Sequence, residues 1–288
     1  MRNPWLSTIS ILGFLFGLGL AIADAKNLDD TAKRTPVNYT VILDLSDRVL
    51  NENQLDYDVA QIKLIFDKFK KKAKQNLIIT SKDRFVVKII RQKGSTLNVD
   101  YYENILQLRL DQLSIKDKNK KLEELDAKLV QTLTKLKKDA IQGENTNDYA
   151  GVDLWSFLNN NKSVLATKGY ENNIIIMTDG YLDFENSTHV IKEDNQYTGT
   201  KFLRTLKGNN WKELAIKEEI GILPIPIDFE ANWIISGLKS KDERDLYQLS
   251  KIKYFWDKWV QESAKTQPDF INYSTESQIL SELNSILK

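Results

Sequence analysis

The sequence predicts an α/β fold: a doubly wound, mostly parallel sheet of Rossmann-like type with one antiparallel edge strand. Three observations carry this. Two short runs, Tyr39-Thr40-Val41-Ile42-Leu43 and Ile174-Ile175-Ile176-Met177, are apolar on both faces, as strands covered from both sides are. Segments of helical periodicity alternate with the strands, and that alternation implies parallel pairing through crossovers. Both runs end in an aspartate beside hydroxyls, Asp44-Leu45-Ser46 and Thr178-Asp179-Gly180. Polar groups therefore collect at the carboxyl ends of the strands, where open α/β sheets bind ligands.

Taken in order, the chain opens on a targeting pattern. Met1-Arg2-Asn3 is a short positive start, Trp5 to Ala23 carry no charge, and Ala23-Asp24-Ala25 has the small-x-small form of a signal-peptidase site. Residues 1–25 are a signal peptide removed after Ala25, or residues 5–23 are an uncleaved anchor, close to the roughly 20 residues that span a bilayer. Gly13, Gly17 and Gly19 weaken the second reading. Either one sends the folded part out of the cytoplasm: periplasmic or secreted in the first case, held on the cytoplasmic membrane in the second. Residues 26–38 are a polar linker, and residues 39–288 form one domain.

Tyr39–Leu43 is the first, central strand. Leu55–Lys72 is a helix with Ile62, Leu64, Ile65, Phe66 and Phe69 on its apolar face and Lys70-Lys71-Lys72 where positive charge suits the helix dipole. Arg84–Ile90 is a strand, and Asn104–Leu110 alternates, with Leu106, Leu108 and Leu110 on one face. It is expected to pair back as the antiparallel edge. In Ile115–Ile141, leucines at 122, 125, 129, 133 and 136 recur at three and four, an amphipathic helix that covers one face of the sheet. A polar loop, Gly143–Asp148, leads to a helix expected from Gly151. Ile174–Met177 is the second central strand. Tyr181–Gly208 is polar and partly a hairpin, and Trp211–Glu219 a short helix. Gly221–Phe229 is a strand that Pro224 and Pro226 restrict to an edge or a bulge. Trp233–Leu238 continues it, Asp242–Lys265 is an aromatic-rich helix, Phe270–Tyr273 a last strand, and Glu276–Leu287 a terminal helix.

Composition narrows the function. Lys and Arg number 41 against 40 Asp and Glu, so no basic excess points to nucleic acid. The hydrophobic fraction of 41% is ample for one core. The chain has no cysteine, which removes disulfides and thiolate chemistry. Its one histidine, His189, lies in a polar stretch far from any candidate nucleophile, and neither a phosphate-binding Gly-Lys loop nor a Gly-x-Ser-x-Gly elbow is present.

What remains is an all-oxygen cluster at the strand ends: Asp44 and Ser46 after the first strand, Asp179 after the other, and Thr146 in the loop between. Oxygen ligands of this kind suit a hard cation such as magnesium. The arrangement resembles the von Willebrand factor type A domain, also seen as the integrin I domain, over nearly all of residues 39–288. That family carries Asp-x-Ser-x-Ser after its first strand, a threonine in a later loop, and an aspartate after a central strand. Together they form a metal-ion-dependent adhesion site. Carried over, the resemblance implies Asp44, Ser46, Thr146 and Asp179 as ligands of a magnesium ion whose open position a carboxylate of a protein partner completes. The departure is Arg48, where the family has its second serine. A guanidinium there weakens the ion or replaces it with a fixed charge, leaving a metal-free scaffold, and on that reading Arg48→Ser tightens magnesium binding.

Asp148 is an alternative to Thr146, Asp153 a capping carboxylate, and Asp183 a further acid near the site. The resemblance implies a protein-binding module for adhesion or assembly, not an enzyme, with an unnamed protein as partner. The rival of a different class is a magnesium-dependent phosphate-ester hydrolase with Asp44 as nucleophile. Such hydrolases place a second acid two residues on as proton donor, and here that residue is Ser46.

Overall fold

Side chains alternate along the central strands and sort into two cores, one on each face of the sheet. In β1 (Val37–Leu45), Val37, Tyr39, Val41, Leu43 and Leu45 join one cluster and Ile42 the other. In β4 (Glu171–Met177), Ile175 and Met177 go one way and Ile174 and Ile176 the other. This is the period of two that a pleated strand imposes, with both faces apolar because both are covered. The computed structural model describes residues 34–75, 77–185 and 188–287. The signal peptide or anchor expected over residues 1–25 and the linker as far as residue 33 lie outside them. Among the described residues no helix is long and apolar enough to cross a membrane.

The chain from Pro36 onward builds a six-stranded sheet in the order β3-β2-β1-β4-β8-β9, with every neighbour parallel except the β2–β3 pair. The remaining strands are β2 (Arg84–Arg91), β3 (Gln107–Arg109), β8 (Asn232–Leu238) and β9 (Asp269–Asn272). One face is covered by α1 (Gln54–Gln75), α2 (Val99–Ile105), α3 (Ile115–Ala140) and α7 (Glu276–Ile286). The other is covered by α4 (Leu154–Leu165), α5 (Trp211–Lys217) and α6 (Gln248–Ala264). The leucine stripe of α3 is buried throughout, so this helix covers the sheet as expected.

Several elements differ from the sequence expectation, each for a local reason. The antiparallel edge exists but is only three residues long. Its expected first two residues, Asn104 and Ile105, instead end the helix Val99–Ile105, which starts at the Asn98 side chain accepting from the Tyr101 amide at 3.1 Å. The helix expected at Gly151 begins at Leu154, because Asp153 caps it by accepting from the Ser156 amide at 2.9 Å. Of the expected strand Gly221–Phe229 only β7 (Gly221–Ile222) forms. It belongs to a separate small sheet with β5 (Lys192–Glu193) and β6 (Gln196–Tyr197). Beyond it the prolines end the ladder, and the carbonyl of Leu223 accepts instead from the indoles of Trp155 and Trp259, at 2.7 and 3.0 Å. Trp233–Leu238 is the core of β8, a central strand beside β4. The aromatic-rich helix begins at Gln248, since Gln248 Oε1 accepts from the Asp242 amide and Ser240 Oγ and holds the residues between as turns.

One irregularity of the sheet matters for the site. β8 carries a register shift between Ser236 and Leu238 opposite β9, and Gly237 there has φ +95°. A Cβ at Gly237 would stand 3.2 Å from an Arg48 guanidinium nitrogen and 3.2 Å from the Thr178 carbonyl oxygen. The bulge therefore makes room for Arg48 in a backbone conformation that side chains resist. Gly237→Ala is expected to cost about 1–3 kcal/mol, read as a lowered midpoint in urea denaturation. An unchanged midpoint would show that Arg48 does not depend on this bulge.

Candidate functional site

Asp44 is the penultimate residue of β1, and its carboxylate is fully buried. Oδ1 accepts from the Ser46 amide and Oδ2 from Thr178 Oγ1, both at 2.8 Å. Thr178 Oγ1 in turn accepts from the Gly180 amide at 3.1 Å. One carboxylate thus ties the loop after β1 to the loop after β4. Burial pushes the Asp44 carboxyl above its usual range, with Arg48 pulling it down and Asp179 adding to the rise. Gly180, at φ +98°, is wedged against Ile252 and Leu238, and its carbonyl accepts from the Trp256 indole at 2.9 Å. The Thr178-Asp179-Gly180 turn is therefore anchored from below by α6.

After Ser46 the chain makes a single 3-10 turn over Asp47–Leu50. The turn sends Arg48 inward and leaves Asp47 facing the surface. The Arg48 side chain is fully buried. Its two terminal nitrogens donate to the two carboxylate oxygens of Asp58 on α1, at 2.8 and 3.1 Å, and one of them also donates to the main-chain oxygen of Asp44 at 3.0 Å. Burial works against its charge, and Asp58, with Asp44 and Asp179, more than offsets that and raises its pKa. This corrects the expectation that Arg48 replaces an ion across the site carboxylates. It pairs with Asp58 and touches Asp44 only at the main chain.

The cation that reaches the aspartates is Lys241, in the loop after β8. Its Nζ lies 2.9 Å from Asp47 Oδ1 and 2.9 Å from Asp179 Oδ2. The approach to Asp179 Oδ2 makes that contact an ion pair rather than a directed hydrogen bond. The ammonium also stands 4.9 Å from the centre of the Tyr181 ring, and the Tyr181 hydroxyl accepts from the Lys241 amide at 3.0 Å. Burial pushes the Tyr181 phenol up to about 12. Burial lowers the Lys241 pKa, but the carboxylates of Asp179 and Asp47 reverse this and raise it above the ordinary lysine range. The loop itself is fixed by the Lys239 amide, which donates to the Asp179 carbonyl at 3.2 Å.

These groups line a polar cleft of about 560 Å³ at the carboxyl edge of the sheet, with Ser46, Asp47, Thr146, Asp179, Tyr181 and Lys241 on its walls. The four expected ligands do not play equal parts. Ser46 and Asp179 line the cleft. Thr146 stands exposed on its rim, in a turn that Asp148 secures by accepting from the Asn145 amide at 3.0 Å. Asp44 lies sealed beneath. Asp183 also reaches the wall, accepting from the Thr200 amide at 3.0 Å. His189 is exposed and pairs with Glu185. Lys241 and Asp47 are the residues that sequence reasoning missed. The signal for Lys241 was a charged run, Lys239-Ser240-Lys241-Asp242, directly after the apolar run Trp233–Leu238, and Asp47 stood between Ser46 and Arg48 at the end of the first strand.

As it stands, this donor set does not fit a resident divalent ion. Asp44 is sealed beneath the cleft with both oxygens accepting hydrogen bonds, and the Lys241 ammonium sits against Asp47 and Asp179.

Comparisons with known proteins add little. No family profile and no curated protein matches the chain. Among solved structures, the pilus adhesin SpaC from Lactobacillus rhamnosus GG in its open conformation aligns with a TM-score of 0.45 at 11% identity, over 88% of this chain and 30% of that one. Proximal thread matrix protein 1 from the mussel byssus aligns with a TM-score of 0.33 at 11% identity, over 88% of this chain and 46% of that one. The chain thus spans less than half the length of either protein, and a likeness this distant carries no argument about its role.

Two outcomes follow from the geometry. Arg48→Ser leaves Asp58 buried without its partner and is expected to cost about 3–5 kcal/mol, read by urea denaturation. A variant as stable as the wild type would show the pair to be dispensable. For Asp44 the folded carboxyl is raised, so its neutral form is the one the fold favours. That contribution is present below the ordinary carboxylate range and is lost as pH rises through the folded value. Asp44→Asn removes the loss. The Tm advantage of the variant over wild type should grow between about pH 4 and pH 7, and a constant difference would contradict the assignment.

Proposed function

We propose that this chain is an extracytoplasmic protein-binding module of von Willebrand A type, acting in adhesion or assembly through the cleft at the carboxyl edge of its sheet. One observation carries the reading. The loops after β1, β4 and β8, three neighbouring strands, bring Ser46, Asp47, Asp179 and Lys241 to one polar opening with Thr146 on its rim. The opposite charges fixed there, with a tyrosine beside them, offer directional contacts for a polar side chain of a partner, and a carboxylate is the group the resemblance suggests. The extracytoplasmic part of the proposal rests on the sequence of residues 1–25.

The chain is proposed to be no enzyme. Asp44, the nucleophile a phosphate-ester hydrolase would use, is buried with both oxygens engaged. Ser46 supplies no proton near neutral pH, and His189 stands apart with Glu185.

Photo-crosslinking amino acids placed singly at Thr146, at Arg244 and, as a control, at Lys82 test the reading in the native host. Thr146 and Arg244 border the cleft, whereas Lys82 is exposed just before β2, at the other edge of the sheet. The same protein adduct is expected from the two cleft positions and not from Lys82. Equal labelling from all three, or from Lys82 alone, would move the binding surface elsewhere. Phosphatase activity that copurifies with the protein and disappears in Asp44→Asn would favour the hydrolase instead.

A further inference from the structure

The cleft holds a cation that belongs to the chain. Asp47 and Asp179 come from the loops after β1 and β4, and the Lys241 ammonium comes from the loop after β8, the next strand in the sheet. Its main chain is pinned at two points: the Lys241 amide donates to the Tyr181 hydroxyl, and the Lys239 amide to the Asp179 carbonyl. Arg48 does not take its place, because its guanidinium is held by both carboxylate oxygens of Asp58 and by the Asp44 main-chain oxygen. We infer that Lys241 is the built-in cation of this cleft: it neutralises Asp47 and Asp179 where the resemblance expects a divalent ion, so that partner binding is metal-independent and the carboxylates become a metal site only when the ammonium is removed.

Charge and size both support this. A dication within about 4 Å of an ammonium is repelled twice as strongly as a single charge would be. Magnesium also needs its oxygens at about 2.0–2.1 Å in near-octahedral array, whereas an ammonium is satisfied by oxygens at hydrogen-bonding distance. The two cannot share Asp179. A cation on a tether also has no dissociation constant, so the charge state of the cleft is independent of the ion content of its surroundings. The inference rests on the docking reading only where it concerns the partner; the identity of the cation is a property of the cleft itself.

The test is thermal denaturation of wild type, Lys241→Met, and the double variant Lys241→Met/Asp179→Asn, each with and without manganese or magnesium. The wild-type Tm should not respond to either ion. Lys241→Met should lose at least about 2–4 °C, and manganese should restore part of that loss. The double variant should not respond. A wild-type Tm that rises with manganese as much as that of Lys241→Met overturns the inference, and so does a folded Lys241→Met that ignores the ion. If Lys241→Met does not fold, calorimetric titration of wild type and Asp179→Asn with manganese decides. Binding by wild type that Asp179→Asn abolishes overturns the inference, and absence of binding by wild type supports it. Chelation during the crosslinking experiment separates the two levels: an adduct unchanged by EDTA supports metal-independence. An adduct lost on chelation and regained with magnesium refutes metal-independence while the docking reading stands. Absence of any adduct counts against docking alone, and the titration still settles the cation.

Discussion

The buried pair of Arg48 and Asp58 is the interaction on which the site depends. It joins the loop after β1 to α1, and through the Asp44 carbonyl it also fixes the last residues of β1. A guanidinium with no exposure is tolerable only because a bidentate carboxylate meets it. Its place beneath the cleft in turn requires a residue without a side chain at position 237. Three separate elements, a tight turn, a helix and a strand bulge, are thus fitted around one charged group.

The consequence for the surface follows from the turn. Asp47 and Arg48 are adjacent and point in opposite directions, one toward solvent and one toward α1. Once Arg48 is committed below, Asp47 is left facing the cleft without it, and the loop after β8 supplies the positive charge. The Asp44 carboxylate has a different task. By accepting from the Ser46 amide and from Thr178, it keeps the two aspartate-bearing loops in register, and burial disfavours its charged form. The oxygen cluster visible in the sequence therefore divides into a structural member, Asp44, a cleft-lining pair, Ser46 and Asp179, of which Asp179 meets the ammonium, and Thr146 on the rim.

Much of the fold was legible because periodicity is a local signal. The two-sided apolar runs at Tyr39 and Ile174 did become central strands, and the leucine stripe from 122 to 136 did cover the sheet. Where prediction failed, tertiary or capping interactions decided. The helix that Asn98 starts took the first two residues of the alternating segment, Asp153 delayed α4, and two indoles took over a carbonyl that a strand partner was expected to bind. Asp44, Ser46 and Asp179 were legible from their places at strand ends. Lys241 was not, because its meaning depends on β8 lying beside β4, and nothing in the local pattern of residues 232–241 states that adjacency. Arg48 stood out in the sequence beside the oxygen cluster, but its partner, Asp58, lies on a helix whose orientation no local signal fixes.

The cleft has walls of unequal origin. Its floor is the middle of a six-stranded sheet. The wall near Thr200 and Leu203 belongs to the insertion that also carries the two-residue strands β5 and β6. The wall itself packs into the core through Phe202 and Leu203, whereas the hairpin of β5 and β6 is held mainly by the short pairing of Gln196–Tyr197 with Gly221–Ile222. Sub-global opening begins where backbone pairing is short and exposed, so amide protons in residues 192–197 exchange ahead of those in β1 and β4. A partner that settles against both the sheet and that hairpin meets a rigid anvil on one side and a yielding jaw on the other. Part of its affinity is then set by how much freedom the jaw still has to lose.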